Sequence, residues 1–362
     1  MKLLRIAQKC YPDVKGGGPY HVHALSRDQA ARGHDVTVLT VDHTDRPRRE
    51  RRDGYTVVRR SPTASLLGND ISTGIARELA TLDSYDVLHA HSHLYFSTNL
   101  AALRRAVGGP PLAITNHGLY SQNAPQQLFE WYLRTAGRWT FDRADTVFCY
   151  TDTERTRLRE LGVRTPIEVI PNGIDTDRFR PAGERSEHIA PGPAVLFVGR
   201  LVDGKRPQDA LDAVAQLRAR YPDVHLYFCG DGPLREELEA SVTERGLTGA
   251  VTFLGQRPYD EMPAIYRAAD ALVLPSRAEG VPRTVLEAMA SGLPVVTSDL
   301  EQITSIVEAG GYTAPIGETG KLAERLATAL EERPDGREYV EREHRWETTV
   351  EATTRALERL AD

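Results

Sequence analysis

Two α/β domains of doubly wound, Rossmann-like type, placed one after the other, are what these 362 residues predict. Three observations lead there. Short β-rich runs alternate with helical patterns along the chain, which gives parallel sheets covered on both faces. The alternation pauses once, over a stretch rich in Pro, Gly and charge at 171–194. It then resumes as a second series, and the length suits two domains.

In the first half the predicted strands are LLRIA, DVTVLT, YTVVRR, DVLHAH, LAITN, DTVFCY and IEVIP. Helical patterns such as PYHVHALSRDQAARG and QQLFEWYLRTAGRWTFDRA lie between several of them. PNGIDTDRFRPAGERSEHIAPGPA reads as an interdomain linker. The second series has strands AVLFVGR, VHLYFCG, VTFLG, ALVLPS and PVVTS, and helices RPQDALDAVAQLRARY, GPLREELEASVTERG and YDEMPAIYRAAD. The last helical stretch, WETTVEATTRALERLAD, has no strand after it and is expected to cross back onto the first domain. The expected domains are therefore 1–174, joined by a helix at about 345–362, and 175–344. In open α/β sheets ligands bind beyond the carboxyl ends of the strands, so residues just after strands are the candidates for function.

Composition excludes several classes. A hydrophobic content of 40% with 27% charged residues is that of a globular chain rather than a disordered one. A net charge of −6 argues against general nucleic-acid binding. Cys10, Cys149 and Cys229 are far apart, each in an apolar strand-like run, so buried free thiols are expected rather than a disulfide framework or zinc site. No apolar run reaches the ~20 residues of a membrane span. MKLLRIAQKCYPD has too short an apolar core for a signal peptide and reads as the first strand, so a cytoplasmic protein is expected. The basic run DRPRRERRDG, 45–54, leaves two readings: a peripheral contact with an anionic membrane face or acceptor, or a solvated loop whose arginines pair with Asp and Glu.

The stretch SRAEGVPRTVLEAMASGLPVV, 276–296, joins two predicted strands through a helix. Pro282 suits the first helical position, where its missing N–H costs nothing. A helix start at strand tips favours an anion, with Val281, Arg283 and Thr284 supplying amides. On a helical wheel Glu287 shares a polar face with Thr284 and Ser291, opposite Val285, Leu286, Ala288 and Met289. Arg200 ends a strand, Lys205 follows in the next loop as one of only 5 lysines, and His117 ends the strand before it in ITNHG. KGGGPY, 15–20, follows the first strand without the full dinucleotide spacing. His89, His91 and His93 alternate and would share one strand face, which raises a metal triad that the reading sets aside. Asp-Thr-Asp at 175–177 is likewise set aside as a metal motif, because it lies in the linker.

AEGVPRTVLEAMASGLPVV resembles the Glu-x7-Glu signature of retaining, family 4 glycosyltransferases of GT-B fold. The resemblance extends over nearly the whole chain, through GGGPYHVHAL, YDVLHAHSH, ITNHG, RADTVFCYTD, VIPNGIDTDRF, FVGRLVDGKRP, FCGDGPLREELE and FLGQRPYDEMPAIYRAAD in order. It implies two Rossmann-like domains facing a central cleft, the first for the acceptor and the second for the nucleotide-sugar donor. It implies a metal-independent, retaining transfer of a sugar from a UDP- or GDP-linked donor to a hydroxyl of a glycan, lipid or small-molecule acceptor, with no cofactor. Arg200 and Lys205 would hold the diphosphate, and His117 would stand beside the transferred sugar. Gly17 and Gly18 would lie near the donor phosphate and acceptor. Glu279 would contact donor-sugar hydroxyls and Glu287 the ribose hydroxyls. Gln256 and Arg257 would line the nucleobase pocket, and Gly280, Val281, Arg283 and Thr284 would contact the donor at the helix start. The departing phosphate takes the acceptor's proton in this family, so no protein base is required.

SDLEQITSIVEAGG departs from the family pattern: Glu301 and Gln302 replace a glycine pair, and Ser305 replaces the usual Glu. That bears on donor identity more than on reaction class. A GT-B sugar-nucleotide epimerase and a two-lobed sugar-binding protein are the competing readings. Turnover without an acceptor would mark the first, and indifference to loss of Glu279 the second. Oligomeric state is left open.

Overall fold

The computed structural model describes residues 1–44, 46–66, 68–82, 84–120 and 126–362, and the statements below concern these. The chain divides into two compact units, Met1–Pro171 with Thr348–Asp362, and Asn172–Glu347.

The first unit runs β1 (Lys2–Ile6), α1 (Gly17–Ala31), β2 (Asp35–Val41), β3 (Arg49–Arg52), β4 (Tyr55–Arg60), β5 (Ala64–Leu66), β6 (Asn69–Ile71), α2 (Thr73–Ala80), β7 (Val87–His91), α3 (Phe96–Ala106), β8 (Leu112–Thr115), α4 (Gln126–Tyr132), a π-helical turn (Leu133–Gly137), α5 (Arg138–Asp142), β9 (Thr146–Cys149), α6 (Asp152–Glu160) and β10 (Ile167–Val169). Its main sheet has the order β10-β9-β8-β7-β1-β2-β4-β3. The ladders are parallel except at the edge, where β3 runs antiparallel to β4. Both faces are covered, so the inner strands are buried on both sides and mostly apolar rather than alternating, with Arg5 and His89 among the buried polar exceptions. Leu4 and Ile6 point into one layer, with Ala101, Phe129 and Phe141. Leu3 and Ala7 point into the other, with Val22, Ala356 and Leu357.

The second unit runs β11 (Ala194–Val198), a 3₁₀ turn (Asp203–Lys205), α7 (Pro207–Leu217), β12 (His225–Cys229), α8 (Arg235–Glu244), β13 (Val251–Gly255), a 3₁₀ turn (Tyr259–Glu261), α9 (Met262–Ala268), β14 (Ala271–Leu274), α10 (Arg283–Ala290), β15 (Val295–Ser298), α11 (Thr304–Val307), β16 (Gly311–Ala314), α12 (Thr319–Glu332), α13 (Arg337–Glu343) and the start of α14 (Trp346–Ala361). Its sheet is parallel, in the order β13-β12-β11-β14-β15-β16.

From Thr348 onward α14 belongs to the first unit. Thr354 there accepts from Gln29 Nε2 at 2.9 Å. Gln29 in turn accepts from Arg5 NH2 at 2.6 Å, while Arg5 NH1 donates to Ser26 at 2.7 Å. Arg5 is fully buried without a carboxylate partner, and burial lowers its pKa to about 9.

Two expectations are corrected, the free linker and the shared histidine face. Segment 172–193 is not a free linker: Ile174 and Phe179 are fully buried, and Phe179 packs edge-on to Tyr259 and Tyr266. Its polar composition hid two apolar anchors. Asp175 accepts the N–H groups of Asp177 and Arg178 at 3.2 and 2.9 Å, forming a local turn. The three histidines do not share one face. Strand β7 ends at His91, and Ser92 has φ +65°. That left-handed residue turns His93 into the opposite layer, against Phe141 and Tyr132. In the basic run, Arg46 and Arg52 reach Asp13 at 2.6 and 2.9 Å, while Asp45 lies outside the described residues. The three cysteines are free and buried, and burial lifts Cys149 to about 12 and Cys229 to about 11. Among the described residues no helix is long and apolar enough to cross a membrane.

Candidate active site

In the second unit the candidate residues gather beyond the carboxyl ends of β11, β13 and β14. A 3₁₀ turn after β11 carries Lys205, whose Nζ pairs with Oε1 of Glu279 in the loop after β14. Lys205 is 15% exposed and Glu279 5%, so this pair is largely withdrawn from water. Arg200, just past β11, is exposed and its side chain makes no ion pair among the described residues. The β11 loop keeps its shape because two glycines press on it. A Cβ on Gly230 would overlap the carbonyl of Gly199, and one on Gly232 that of Leu201.

Helix α10 starts at Arg283, one residue later than expected. Pro282 is its N-cap, with extended ψ of 119°. The amides of Arg283 and Thr284 begin the first turn and have no intrahelical acceptor. Gly280 and Val281 lead into it, and Val281's carbonyl accepts from Asn172 Nδ2 at 3.1 Å. Oγ1 of Thr284 is buried without a hydrogen-bond partner. Gln302, standing where the resembled family has glycine, donates to the backbone carbonyl of Glu279.

The polar face of α10 points inward. Glu287 is 4% exposed. Its Oε1 accepts from Tyr259 at 2.9 Å and its Oε2 from Tyr266 at 3.0 Å. Arg283 Nε stands 3.5 Å from Oε1, and its NH1 donates to the carbonyl of Gly173 at 3.0 Å. Burial raises the carboxyl pKa of Glu287, and Arg283 and the two tyrosines oppose that. Tyr259 and Tyr266 escaped the sequence reading. The available signal was their spacing of seven, two helical turns, in YDEMPAIY. Gln256 is exposed, and Arg257 is engaged with Glu261 at 2.6 Å.

In the first unit a second cluster forms at the tips of β7, β8 and β9. Nε2 of His117 lies 3.0 Å from His91 Nδ1, and its Nδ1 lies 2.7 Å from the hydroxyl of Tyr150. Both ring nitrogens are therefore occupied, while its backbone carbonyl accepts nothing from the described residues. His21 of α1 meets the His117 ring edge-on at 5.5 Å. Deeper in, Arg5 NH2 stands 3.3 Å from His89 Nδ1. Arginine only donates, so His89 carries its proton on Nε2 and gives it to Thr115 at 2.7 Å. Gly17 and Gly18 open α1 and are exposed, after Gly16 at φ +144°. Tyr150 and His91 were also missed as partners of His117, since spatial neighbours from three strand tips leave no local pattern. Among the described residues no set of three or more His, Cys, Asp or Glu is arranged to hold a metal ion.

This histidine cluster sets a pH dependence. Burial holds His93 at about 3 and His117 at about 4, and keeps His89 and His91 well below the ordinary 6.5. Between pH 6.5 and 4 the unfolded chain thus binds more protons than the folded one, so stability falls as pH falls through that window. Each group contributes up to about 1.4 kcal/mol per pH unit. Glu154, raised by burial to about 7, and Glu287, also raised by burial, act in the opposite sense but are outnumbered by the lowered histidines, which include His23, His34, His225 and His344. The urea midpoint is expected to drop steeply from pH 6.5 to 4.5; a flat profile there would contradict the buried neutral imidazoles.

Known proteins resemble this chain in sequence and fold. A model described as Glycosyltransferase Family 4 matches residues 15–178, and one described as Glycosyl transferases group 1 matches 184–349. The chain is 32% identical to the 2-deoxystreptamine glucosyltransferase of Streptomyces kanamyceticus over 256 residues, 64% of this chain and 66% of that protein. It is 28% identical to a GDP-mannose-dependent phosphatidylinositol monomannoside mannosyltransferase of Mycobacterium tuberculosis, over 93% of both chains. Sucrose-phosphate synthase from Thermosynechococcus elongatus superposes with a TM-score of 0.81 at 21% identity, covering 99% of each chain. Anabaena HepE, solved with UDP and glucose, superposes at 0.80 with 22% identity over 99% of both. With both halves matched in order and the two parallel sheets in place, the chain belongs to glycosyltransferase family 4 and is an enzyme of GT-B architecture.

Proposed function

We propose that this enzyme transfers a sugar, with retention, from a UDP- or GDP-linked donor held by the second unit to a hydroxyl of a sugar, lipid-linked or small-molecule acceptor. The observation that carries the reading is the Lys205–Glu279 pair, with Arg200, whose side chain makes no ion pair among the described residues, in the same loop after β11. A departing nucleoside diphosphate develops about two negative charges, and preorganised cations there stabilise it as a metal ion would. Lys205 and Arg200 supply the charge, and the α10 amides of Arg283 and Thr284 add aligned dipoles. Glu279, paired with Lys205, takes hydroxyls of the donor sugar. Glu287 receives the ribose while its tyrosines fix its orientation, and Gln256 and Arg257 border the base. In the first unit His117 presents its open carbonyl to the transferred sugar while His91 and Tyr150 hold its ring. Gly17 and Gly18 let backbone approach the donor phosphate and acceptor. The phosphate oxygen removes the acceptor's proton as its bond to the anomeric carbon breaks. A peripheral site of action on an anionic membrane face accords with a lipid-linked acceptor.

The test is a thermal-shift panel of UDP, GDP and their sugars, since a ligand of the folded state raises the melting temperature. One base should stabilise strongly and the other little. Transfer from that donor should survive EDTA. No stabilisation by any nucleoside diphosphate, or strict dependence on a divalent ion, would overturn the cationic-clamp reading.

A further inference from the structure

A second surface of the first unit is built for a different partner. Leu128, Trp131 and Trp139 on α4 and α5 are 49%, 65% and 39% exposed. Beside them an open groove of about 740 Å³ is lined by Arg134, Arg138, Arg143, Arg164, Trp139 and Asp142. Four guanidinium groups thus meet one carboxylate. Asp142 is partly spent, accepting the backbone N–H of Arg164 at 2.7 Å and standing 3.9 Å from Arg138. Arg143 lies over the Trp139 ring at 5.6 Å. The side chains of Arg134 and Arg164 have no partner among the described residues. All this occurs on a chain whose net charge is −6, so the patch stands out against an acidic background.

Its position separates it from the candidate active site. Arg143 and Arg164 sit just before β9 and β10, at the amino ends of those strands. His117 and Tyr150 lie past the carboxyl ends of β8 and β9. The groove therefore occupies the opposite end of the same sheet.

We propose that the α4–α5 face docks this enzyme on an anionic lipid bilayer, its arginines on headgroup phosphates and Leu128, Trp131 and Trp139 in the interfacial layer. Indole rings and an aliphatic side chain flanked by arginine are what a membrane interface accommodates. A free phosphate would satisfy the arginines and leave the apolar groups in water. A second copy of the chain would bring like charge toward like charge. The run 45–54 fits less well, since it contains neither Trp nor Leu and two of its arginines are committed to Asp13. The assignment gives the peripheral contact proposed above a place, and its test needs no turnover.

The intact chain is mixed with phosphatidylcholine vesicles, with and without phosphatidylglycerol. Partition onto the anionic vesicles, weakened by salt, is expected. The tryptophan emission should shift to the blue, reporting Trp131 and Trp139 because Trp346 is already buried. Arg134→Ala with Arg138→Ala should lower partition about 25-fold, at roughly a factor of five per arginine. Trp131→Gln should remove most of the emission shift. These side chains are exposed, so the melting temperature should hold. Should the double variant not fold, Arg164→Ala with Trp131→Gln is expected to show the same loss. Partition unchanged in these variants, equal binding to neutral vesicles, or displacement by inorganic phosphate at constant ionic strength would overturn the proposal. So would loss of partition in Arg48→Ala/Arg49→Ala/Arg51→Ala instead. In every case donor-induced thermal shifts should stay as in the parent, which separates failure here from failure of the donor reading.

Discussion

Lys205→Ala is expected to lower turnover by about two orders of magnitude, the usual effect of deleting one charge-assisted contact to a developing anion. It should also cost stability. Glu279 is 5% exposed and loses its ion-pair partner, and breaking a buried pair from one side costs about 3 kcal/mol or more. The two effects separate in a cycle. Adding Glu279→Gln removes the stranded charge and should restore much of the melting temperature, while turnover stays low or falls further. Near-normal turnover in Lys205→Ala would take this residue out of the diphosphate site. Rate recovering in step with stability in the double variant would reduce the pair to a structural one.

Glu287→Leu is expected to cost about 3–5 kcal/mol of folding stability, as judged by the urea midpoint, because Arg283 is buried and loses its carboxylate. Two tyrosine hydroxyls lose their acceptor at the same time. Glu287→Gln keeps one carbonyl oxygen and an amide that a tyrosine hydroxyl can accept from, so it should retain most of the stability. Its donor-induced thermal shift should nonetheless shrink if the ribose binds there. A Leu variant as stable as the parent would show that the network contributes nothing net. A Gln variant with full donor stabilisation would separate Glu287 from the ribose.

The alternation of strand and helix was legible because parallel strands buried on both faces, such as AVLFV and ALVL, are short and apolar, with amphipathic helices between them. The edge strand Arg49–Arg52 was not legible, since RERR carries no apolar signal and forms by pairing with β4. Nor was the π-helical turn at Leu133–Gly137, which interrupts a pattern that reads as one helix. At the site, motif spacing singled out Glu279, Lys205 and Glu287 one by one. What it could not give is which of them touch: Lys205 and Glu279 are 74 positions apart, and Tyr259 and Glu287 are 28 apart. The wheel drew Glu287 on a polar face and could not say that the face turns inward, because a polar stripe facing tyrosines looks the same as one facing water.

The division of the chain bears on how it is made. Residues 348–362 complete the first unit, yet the ribosome delivers them only after all of the second. A nascent chain ending at Pro171 therefore lacks Ala356 and Leu357 over Leu3 and Val22, and offers Gln29 no Thr354. The first-made half thus carries one apolar layer covered only in part, by α1, while the later half is synthesised and can fold ahead of it.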